Sequence, residues 1–276
     1  MLESITTTAR PDPRPDSWAA AEAYGPYMGR WSALVAGKFV DWLALRCGAC
    51  WLDVGCGTGA LTQAILARAA PAEVTGIDPS DRYVAFDQRQ HPDRRASFRT
   101  GDAEALPVGD ASQDAVVSGL VLNFVPRPER AAAEMQRVLR PGGTAAAYVW
   151  DYAGRMQLIR HFWDAAAALD PAARALDEGV RFPLCHVQRL RDLFTDAGFA
   201  EVDCRAFEVP TVFRDFDDLW SPFLGGQGPA PTYCGTLAEE QRTALRERLR
   251  AALPVAPDGT IKLVARAFAV RGVRTQ

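Results

Sequence analysis

The sequence predicts an α/β protein built on a doubly wound, largely parallel sheet. Three observations carry that expectation. Five short apolar runs between residues 49 and 150 alternate with helical segments. A glycine-rich turn, Gly55-Cys56-Gly57-Thr58-Gly59, follows the first run directly. The fourth run, residues 114–122, is apolar at nearly every position, as suits a strand covered on both faces. Strands that alternate with helices join through right-handed crossovers into a parallel sheet.

Each element has a local reason. Residues 1–17 carry Pro11, Pro13 and Pro15 and few apolar side chains, the composition of a flexible tail. Residues 18–48 read as N-terminal helices, broken at Gly25-Pro26. Trp31, Leu34, Val35, Phe39, Trp42 and Leu43 are expected on one helical face. Strand 51–54 leads into helix 60–69, which ends before Pro71. Strand 73–78, helix 81–90 and strand 96–100 follow. Pro128 opens a helix carrying Ala131, Met135, Val138 and Leu139, and Pro141-Gly142-Gly143 stops it. Residues 144–150 are the fifth strand. Residues 152–186 break the rhythm. Val187, Leu190, Leu193, Phe194 and Ala197 then mark an amphipathic helix closed by Gly198. A long strand, 201–212, precedes a Gly/Pro-rich stretch from Pro222 to Pro231. Thr236-Leu237-Ala238-Glu239 has the form of a capping box and starts a helix reaching Leu253. The last strand is 261–270. No internal repeat is present. Residues 49–276 therefore form one nucleotide-binding domain, with insertions at about 152–186 and 214–258.

Composition excludes several classes. Of the 276 residues, 48% are hydrophobic and 24% charged, so disorder, collagen and coiled coil are ruled out as the dominant state. Lys+Arg is 31 and Asp+Glu is 34, a net charge of −3, which offers no general attraction for nucleic acid or anionic lipid. No apolar run approaches the 18 or so residues of a membrane helix. The N-terminus lacks the basic start and apolar core of a signal peptide, so a cytoplasmic location is expected. The six cysteines do not read as a disulfide framework in a chain of this length. Cys47-x-x-Cys50 lacks a second pair, so no metal site is expected. Cys185-His186 are adjacent and do not face each other as a nucleophile and its base must.

Three motifs carry chemistry. Asp53-Val54-Gly55-Cys56-Gly57-Thr58-Gly59 closes the first strand and opens a helix. Glycines there admit a ligand close to the backbone, and the helix N-terminus offers free N–H groups. Asp78 ends the second strand, 23 residues after Gly55, where an acid accepts the hydroxyls of a ribose. Gly101-Asp102-Ala103-Glu104 follows the third strand, and a carboxylate there suits an adenine amino group.

These residues resemble the class I S-adenosylmethionine (SAM)-dependent methyltransferases, in particular the small-molecule branch similar to ubiquinone and menaquinone C-methyltransferases. The resemblance is close over residues 49–151 and topological over 187–212 and 261–272. It implies a Rossmann-like seven-stranded sheet of order 3-2-1-4-5-7-6, with the last strand antiparallel and the two insertions forming a helical lid. It implies SAM as cofactor and S-adenosylhomocysteine (SAH) as product. Asp53, Gly55, Cys56, Gly57 and Gly59 would wrap the amino-acid part, with Asp78 and Pro79 at the ribose and Asp102, Ala103 and Glu104 by the adenine. Asn123 and Phe124 would border the sulfonium and the acceptor. In similar enzymes an N-terminal helix lies over the cofactor, which makes Arg30 a candidate for its carboxylate and Tyr24 for its sulfonium; core packing is the competing role of both. Two other readings stay open. Gly-x-Gly with Ala60 also fits the loose dinucleotide pattern of an NAD(P)-dependent oxidoreductase, although Asp53, Gly59 and Asp102 favour SAM. A SAM-binding regulatory protein without catalysis would share every cofactor motif.

The acceptor side is less explicit. Asn123-Phe124-Val125-Pro126 lacks the adjacent prolines of enzymes that methylate DNA bases or glutamine amides, which leaves a small organic molecule. Trp150 and Tyr152 end the fifth strand, where ligands bind in such sheets. His161 in the first insertion is a candidate general base and substrate contact, and Asp151 a second candidate base; a plain helix-face histidine and a helix cap are the alternatives. Trp163, Phe182, Trp220 and Phe223 line an apolar chamber or pack the lid itself. His91 is read as a surface residue. Methyl transfer is an in-line displacement for which positioning suffices, so no catalytic residue is required. A monomer and a homodimer are both compatible with the sequence.

Overall fold

The computed structural model describes residues 25–225 and 228–275. A π-helical turn, Gly25–Gly29, leads into α1 (Arg30–Leu43). The core then alternates β1 (Cys50–Val54), α2 (Ala60–Arg68), β2 (Glu73–Asp78), α3 (Asp81–Gln90), β3 (Ala96–Thr100), β4 (Gln113–Gly119), α4 (Pro128–Val138) and β5 (Leu139–Trp150). The first insertion holds α5 (Gln157–Leu169), a 3-10 turn and the short α6 (Glu178–Arg181). Helix α7 (Val187–Asp196) and β6 (Ala200–Phe213) resume the sheet. The second insertion holds α8 (Phe216–Trp220), α9 (Pro229–Thr236) and α10 (Glu239–Ala252), and β7 (Ile261–Val273) ends the fold.

The sheet order is β3-β2-β1-β4-β5-β7-β6. Strands β3, β2, β1, β4 and β5 are parallel, and β7 runs antiparallel between β5 and β6. The expected order and the reversed last strand are both present. Central strands read as apolar runs because helices cover both faces: Trp51, Leu52, Ala115, Val116 and Val117 are fully buried. Edge strand β6 alternates instead, burying Phe207, Val209, Thr211 and Phe213 on one side. Charged Glu201, Asp203 and Arg205 stand exposed along its N-terminal half, side chains of the kind that disfavour edge-to-edge pairing.

Several boundaries differ from expectation, each for a physical reason. Helix α1 buries Trp31, Val35, Phe39 and Leu43, spaced four apart, with Ser32, Ala36 and Val40 beside them. Leu34 is 46% exposed, because at 3.6 residues per turn it falls about 60° outside that arc. Strand β4 stops at Gly119 and Leu122–Phe124 coils into a 3-10 turn. Strand β5 starts early at Leu139: Pro141-Gly142-Gly143 are absorbed by a register shift against β4, with Gly142 at φ +77°. The second-insertion cap lies two residues later than expected. Residues 229–236 already form α9, whose Thr236 hydroxyl donates to the Tyr233 carbonyl. Helix α10 starts at Glu239, and the Gln241 side chain accepts the Ala238 N–H at 3.1 Å.

The two insertions pack on each other, α10 along α5 and α9 against α5 and the 3-10 turn that follows it. Arg30 links α1 to them through Asp218 at 3.3 Å. Among the described residues no helix is long and apolar enough to cross a membrane.

Phe39 is fully buried, with its ring 4.7 Å from Tyr148 and 6.2 Å from Trp42. Phe39→Ala is expected to lower unfolding stability by about 3–5 kcal/mol, whereas Leu34→Ala shifts it by less than about 0.5 kcal/mol. Urea denaturation of the two variants measures the contrast.

Candidate active site

A cleft opens at the carboxyl ends of β1, β2, β4 and β5, where the strand order reverses. Its floor is the turn after β1. Gly55, Gly57 and Gly59 have φ of +76°, +57° and +75°, a left-handed series that side chains with a Cβ resist. A Cβ on Gly55 would come 2.5 Å from Val121, while beside Gly57 the nearest atom would be 4.0 Å away. The turn thus leaves an open cradle in front of Gly57. The N–H groups of Gly55 and Cys56 donate to the Ile77 carbonyl at 2.7 and 3.0 Å, which clasps the turn to β2.

Asp78 completes the clasp. Its carboxylate accepts the Gly57 N–H at 3.0 Å and the Ser80 N–H at 2.9 Å. One side chain therefore holds the glycine turn and closes the tight turn that leads into α3. Burial pushes its carboxyl above the ordinary range, against those two bonds. Gly55, Cys56, Gly57, Asp78 and Pro79 all line the cleft, and so do Phe124, Trp150 and Tyr152. Burial pushes the Cys56 thiol up, away from the thiolate form.

Other expected site residues lie elsewhere. Asp53 is fully buried beneath the turn, where the Thr62 hydroxyl donates to it at 2.7 Å; burial lifts its carboxyl to about 7. Gly59 lies at the N-terminus of α2 and against His91, outside the cleft. Asp102 is exposed and accepts the Glu104 N–H, closing a local turn. Glu104 pairs with Arg127 and so ties this loop to the start of α4. Ala103 packs against the core. None of these three lines the cleft. Asn123 sits beside Phe124 in the 3-10 turn, its amide nitrogen buried without a hydrogen-bond partner.

The N-terminal and lid candidates are corrected most. Tyr24 lies outside the described residues. The Arg30 guanidinium pairs with Asp218 and stacks 4.3 Å from the Trp31 ring and 4.8 Å from Phe213, away from the cleft. Asp151 is no free base: the Arg155 N–H donates to it at 2.7 Å, and Arg266 binds it through Nε and Nη2. His161 is half-buried on α5 outside the cleft, and burial depresses its imidazole. Trp163 donates its indole N–H to the buried Glu178 carboxylate, and Trp220 packs against Phe216 and Phe223. Both tryptophans build the lid rather than the wall. Phe182 closes over the wall, with its ring 4.9 Å from Phe124 and 5.9 Å from Tyr152.

The cleft also has walls the sequence reading missed. Met28 and Ser32 come from the N-terminal turn and α1, Ser80 and Tyr83 from the start of α3, and Leu120, Val121 and Tyr148 from the ends of β4 and β5. Tyr148 was findable, because it stands two residues before Trp150 on the same strand face.

A family model described as "Methyltransferase domain" matches residues 52–147. A malonyl-[acyl-carrier protein] O-methyltransferase of Herminiimonas arsenicoxydans is 30% identical over 76% of this chain and 75% of its own length. A ubiquinone/menaquinone biosynthesis C-methyltransferase of Methylobacterium nodulans is 34% identical over 56% of this chain and 67% of its own. Among solved structures, the YcgJ protein of Bacillus subtilis superposes with a TM-score of 0.58 at 17% identity, covering 90% of this chain and 99% of that one. Other curated relatives match over less: the chain spans 18% and 46% of the first two.

Asp53 supplies a pH test. Its folded carboxyl titrates near 7 against 3.8 for the free side chain. A raised carboxyl stabilises the fold below its unfolded value and loses that contribution as pH rises through the folded one. Asp53→Asn keeps an acceptor for Thr62 and cannot ionise. The variant's melting temperature is expected to gain on the wild type between pH 4 and 8, read by thermal scans across that range.

Proposed function

The chain belongs to the SAM-dependent methyltransferase family, and on that premise we propose that it moves the SAM methyl group to a small, apolar, aromatic acceptor and releases SAH. The observation that carries the acceptor class is the composition of the cleft wall. Phe124, Tyr148, Trp150 and Tyr152 form one side with Leu120 and Val121, and the one carboxylate among the described lining residues is Asp78, on the glycine-turn side.

The glycine-turn half fits the cofactor. The open cradle at Gly57 leaves room for a ligand, the first turn of α2 presents its backbone N–H groups to a carboxylate, and Asp78 faces the space where a ribose would lie. Bound SAM supplies a methyl group already activated by the sulfonium charge. The aromatic faces of Tyr148, Trp150 and Tyr152 favour a cation beside them. The protein's remaining task is to hold the acceptor in line and keep water out, and such positioning is worth about 7–11 kcal/mol.

The wall also selects the acceptor. A malonyl group, as named for one relative, carries a carboxylate. A buried carboxylate needs a cationic partner, and no Lys or Arg is among the described lining residues. A planar ring, as in the quinone pathway named for the other relative, meets the apolar wall without that cost. Asp151 is committed to Arg266, and His161 stands outside the cleft. In this reading the acceptor attacks through an oxygen that enters already ionised, the O–C bond forming as the C–S bond breaks, or through a ring carbon activated by such an oxygen, whose proton is then lost to solvent.

Asp78→Ala is expected to weaken SAM binding by about 10- to 100-fold, the loss of hydrogen bonds to a charged group. Arg30→Ala leaves SAM affinity unchanged. Calorimetry on both variants reads this, and equal affinity in Asp78→Ala and wild type would overturn the cofactor assignment. Incubation with SAM and a panel of hydroquinones, phenols and carboxylic acids tests the acceptor class through SAH release; methylation confined to the carboxylic acids would overturn it.

A further inference from the structure

A buried polar pair under the glycine turn has no part in the reaction as described so far. Asp87 and His91 lie one turn apart, at the end of α3. Asp87 is fully buried, and the His91 side chain is only 6% exposed. Neither carboxylate oxygen of Asp87 has an N–H or O–H partner among the described residues. Its neighbours are the Cys56 thiol, in the turn, and the His91 ring, with Nε2 3.6 Å from Oδ1. Asp53 and Asp78 add negative charge from β1 and β2, and burial lifts the Asp87 carboxyl to about 8.

The pair touches the turn at two points. A Cβ on Gly59 would come 2.4 Å from His91 Nε2 and 3.1 Å from Asp87 Oδ1, so the imidazole fills the space directly beneath Gly59. On its other edge, His91 Nδ1 is 2.9 Å from Gln63 Nε2, in the first turn of α2. An amide nitrogen only donates, so Nδ1 accepts, and the ring proton sits on Nε2, facing Asp87. Apolar side chains of the same volume would join α2 to α3 without burying a carboxyl. What the polar pair adds is direction, because it sets the ring's tilt under Gly59 and its reach to Gln63.

We propose that His91 is a positioning residue for the cofactor: oriented by Asp87, it wedges Gly59 from below and ties Gln63, holding the glycine turn in its binding shape. The proposal rests on the SAM reading of the cleft. The turn is then gripped from two sides, by Asp78 at Gly57 and by His91 at Gly59. Gly57, at the first grip, and Thr58, between the two, line the cleft. A shift of the ring moves the backbone N–H groups that meet the ligand, although His91 never touches it.

The test is SAM and SAH binding by calorimetry on the full chain, with thermal scans to establish that each variant is folded. His91→Ala is expected to weaken both ligands by about 2- to 10-fold, the range for one lost hydrogen bond. His91→Asn keeps a polar group facing Gln63 and recovers most of the loss. Gln63→Ala changes an exposed side chain; it is expected to weaken binding in the same range, and the double variant to lose no more than His91→Ala alone. A melting temperature that falls while SAM affinity stays at the wild-type value would overturn the proposal. Additive losses in the double variant, or wild-type affinity in Gln63→Ala, would overturn it too, and Gln63→Ala decides the matter if His91→Ala does not fold. A wild-type chain that binds no SAM overturns the cofactor reading instead.

Discussion

The structure depends on one carboxylate at the end of β2. Asp78 accepts the N–H of Gly57 with one oxygen and that of Ser80 with the other. The first bond fixes a turn that no side-chain packing could hold, since three of its residues are glycines in left-handed conformations. The second fixes where α3 starts, and α3 carries Tyr83 to the cleft and Asp87 and His91 beneath the turn. Bonds to an ionised acceptor are worth roughly twice neutral ones, so a single residue couples β1, β2 and two helix starts. The sheet supplies the rest: Ile77 pins the turn through its carbonyl, and Val121 leaves room beside Gly55 only because no Cβ is there.

The other half of the cleft is built by a different principle. Its walls are ends of strands covered by the lid, and the lid is held by arginine forks rather than by a single hinge. Arg30 joins α1 to Asp218 of the second insertion, and Arg266 joins β7 to Asp151. Arg137 alone binds the carbonyls of Leu106 and Val108 and the carboxylates of Asp110 and Glu134. Arg274 reaches three carbonyls around the start of β5. This gives a structural sense to a chain whose basic residues are arginine apart from Lys38 and Lys262. A planar five-donor fork can bridge several fixed carbonyls at once, and an ammonium on a flexible stem cannot. With the cations spent on loops and lid, none is left on the described cleft wall.

Most of the fold was legible because its signals are local. Apolar runs bounded by turns locate β1 to β5, and the edge position of β6 came with the strand order that the family resemblance implies. The glycine turn, Asp78 and Trp150 were legible for the same reason: they stand at strand ends, where backbone geometry fixes what faces the cleft. The residues placed away from the cleft fall where tertiary contacts choose between options that sequence spacing leaves equal. Asp53 and Asp102 sit next to the motif, yet Thr62 captures one and a local turn the other. Arg30, Asp151 and His161 had the right chemistry and the wrong neighbours. Met28 and Ser32 reach the cleft only through the docking of α1, which no local pattern announces. His91 is the instructive case. It carries a signal that was overlooked, since Tyr83, Asp87 and His91 are spaced by four and share one helix face, which is the buried one.

That face has a consequence for how the site manages charge. Three carboxyls, Asp53, Asp78 and Asp87, surround the turn within two layers, and burial raises all of them, two to about 7 and about 8. Three buried anions so close would repel one another strongly, and the neutral form relieves that. Asp78 alone has two backbone N–H donors to favour its ionised state, and it alone lines the cleft. The arrangement therefore places the carboxylate with backbone donors where a ligand hydroxyl or cation would meet it, and the two carboxyls that burial raises to about 7 and about 8 in the layer below. The directional bond of the ring is the one its Nδ1 makes with Gln63 at 2.9 Å, while Asp87 Oδ1 faces Nε2 at 3.6 Å, so what the pair supplies is direction. That is the property a turn made of glycines lacks by itself, and it accounts for a polar pair standing where apolar packing would have been the cheaper filling.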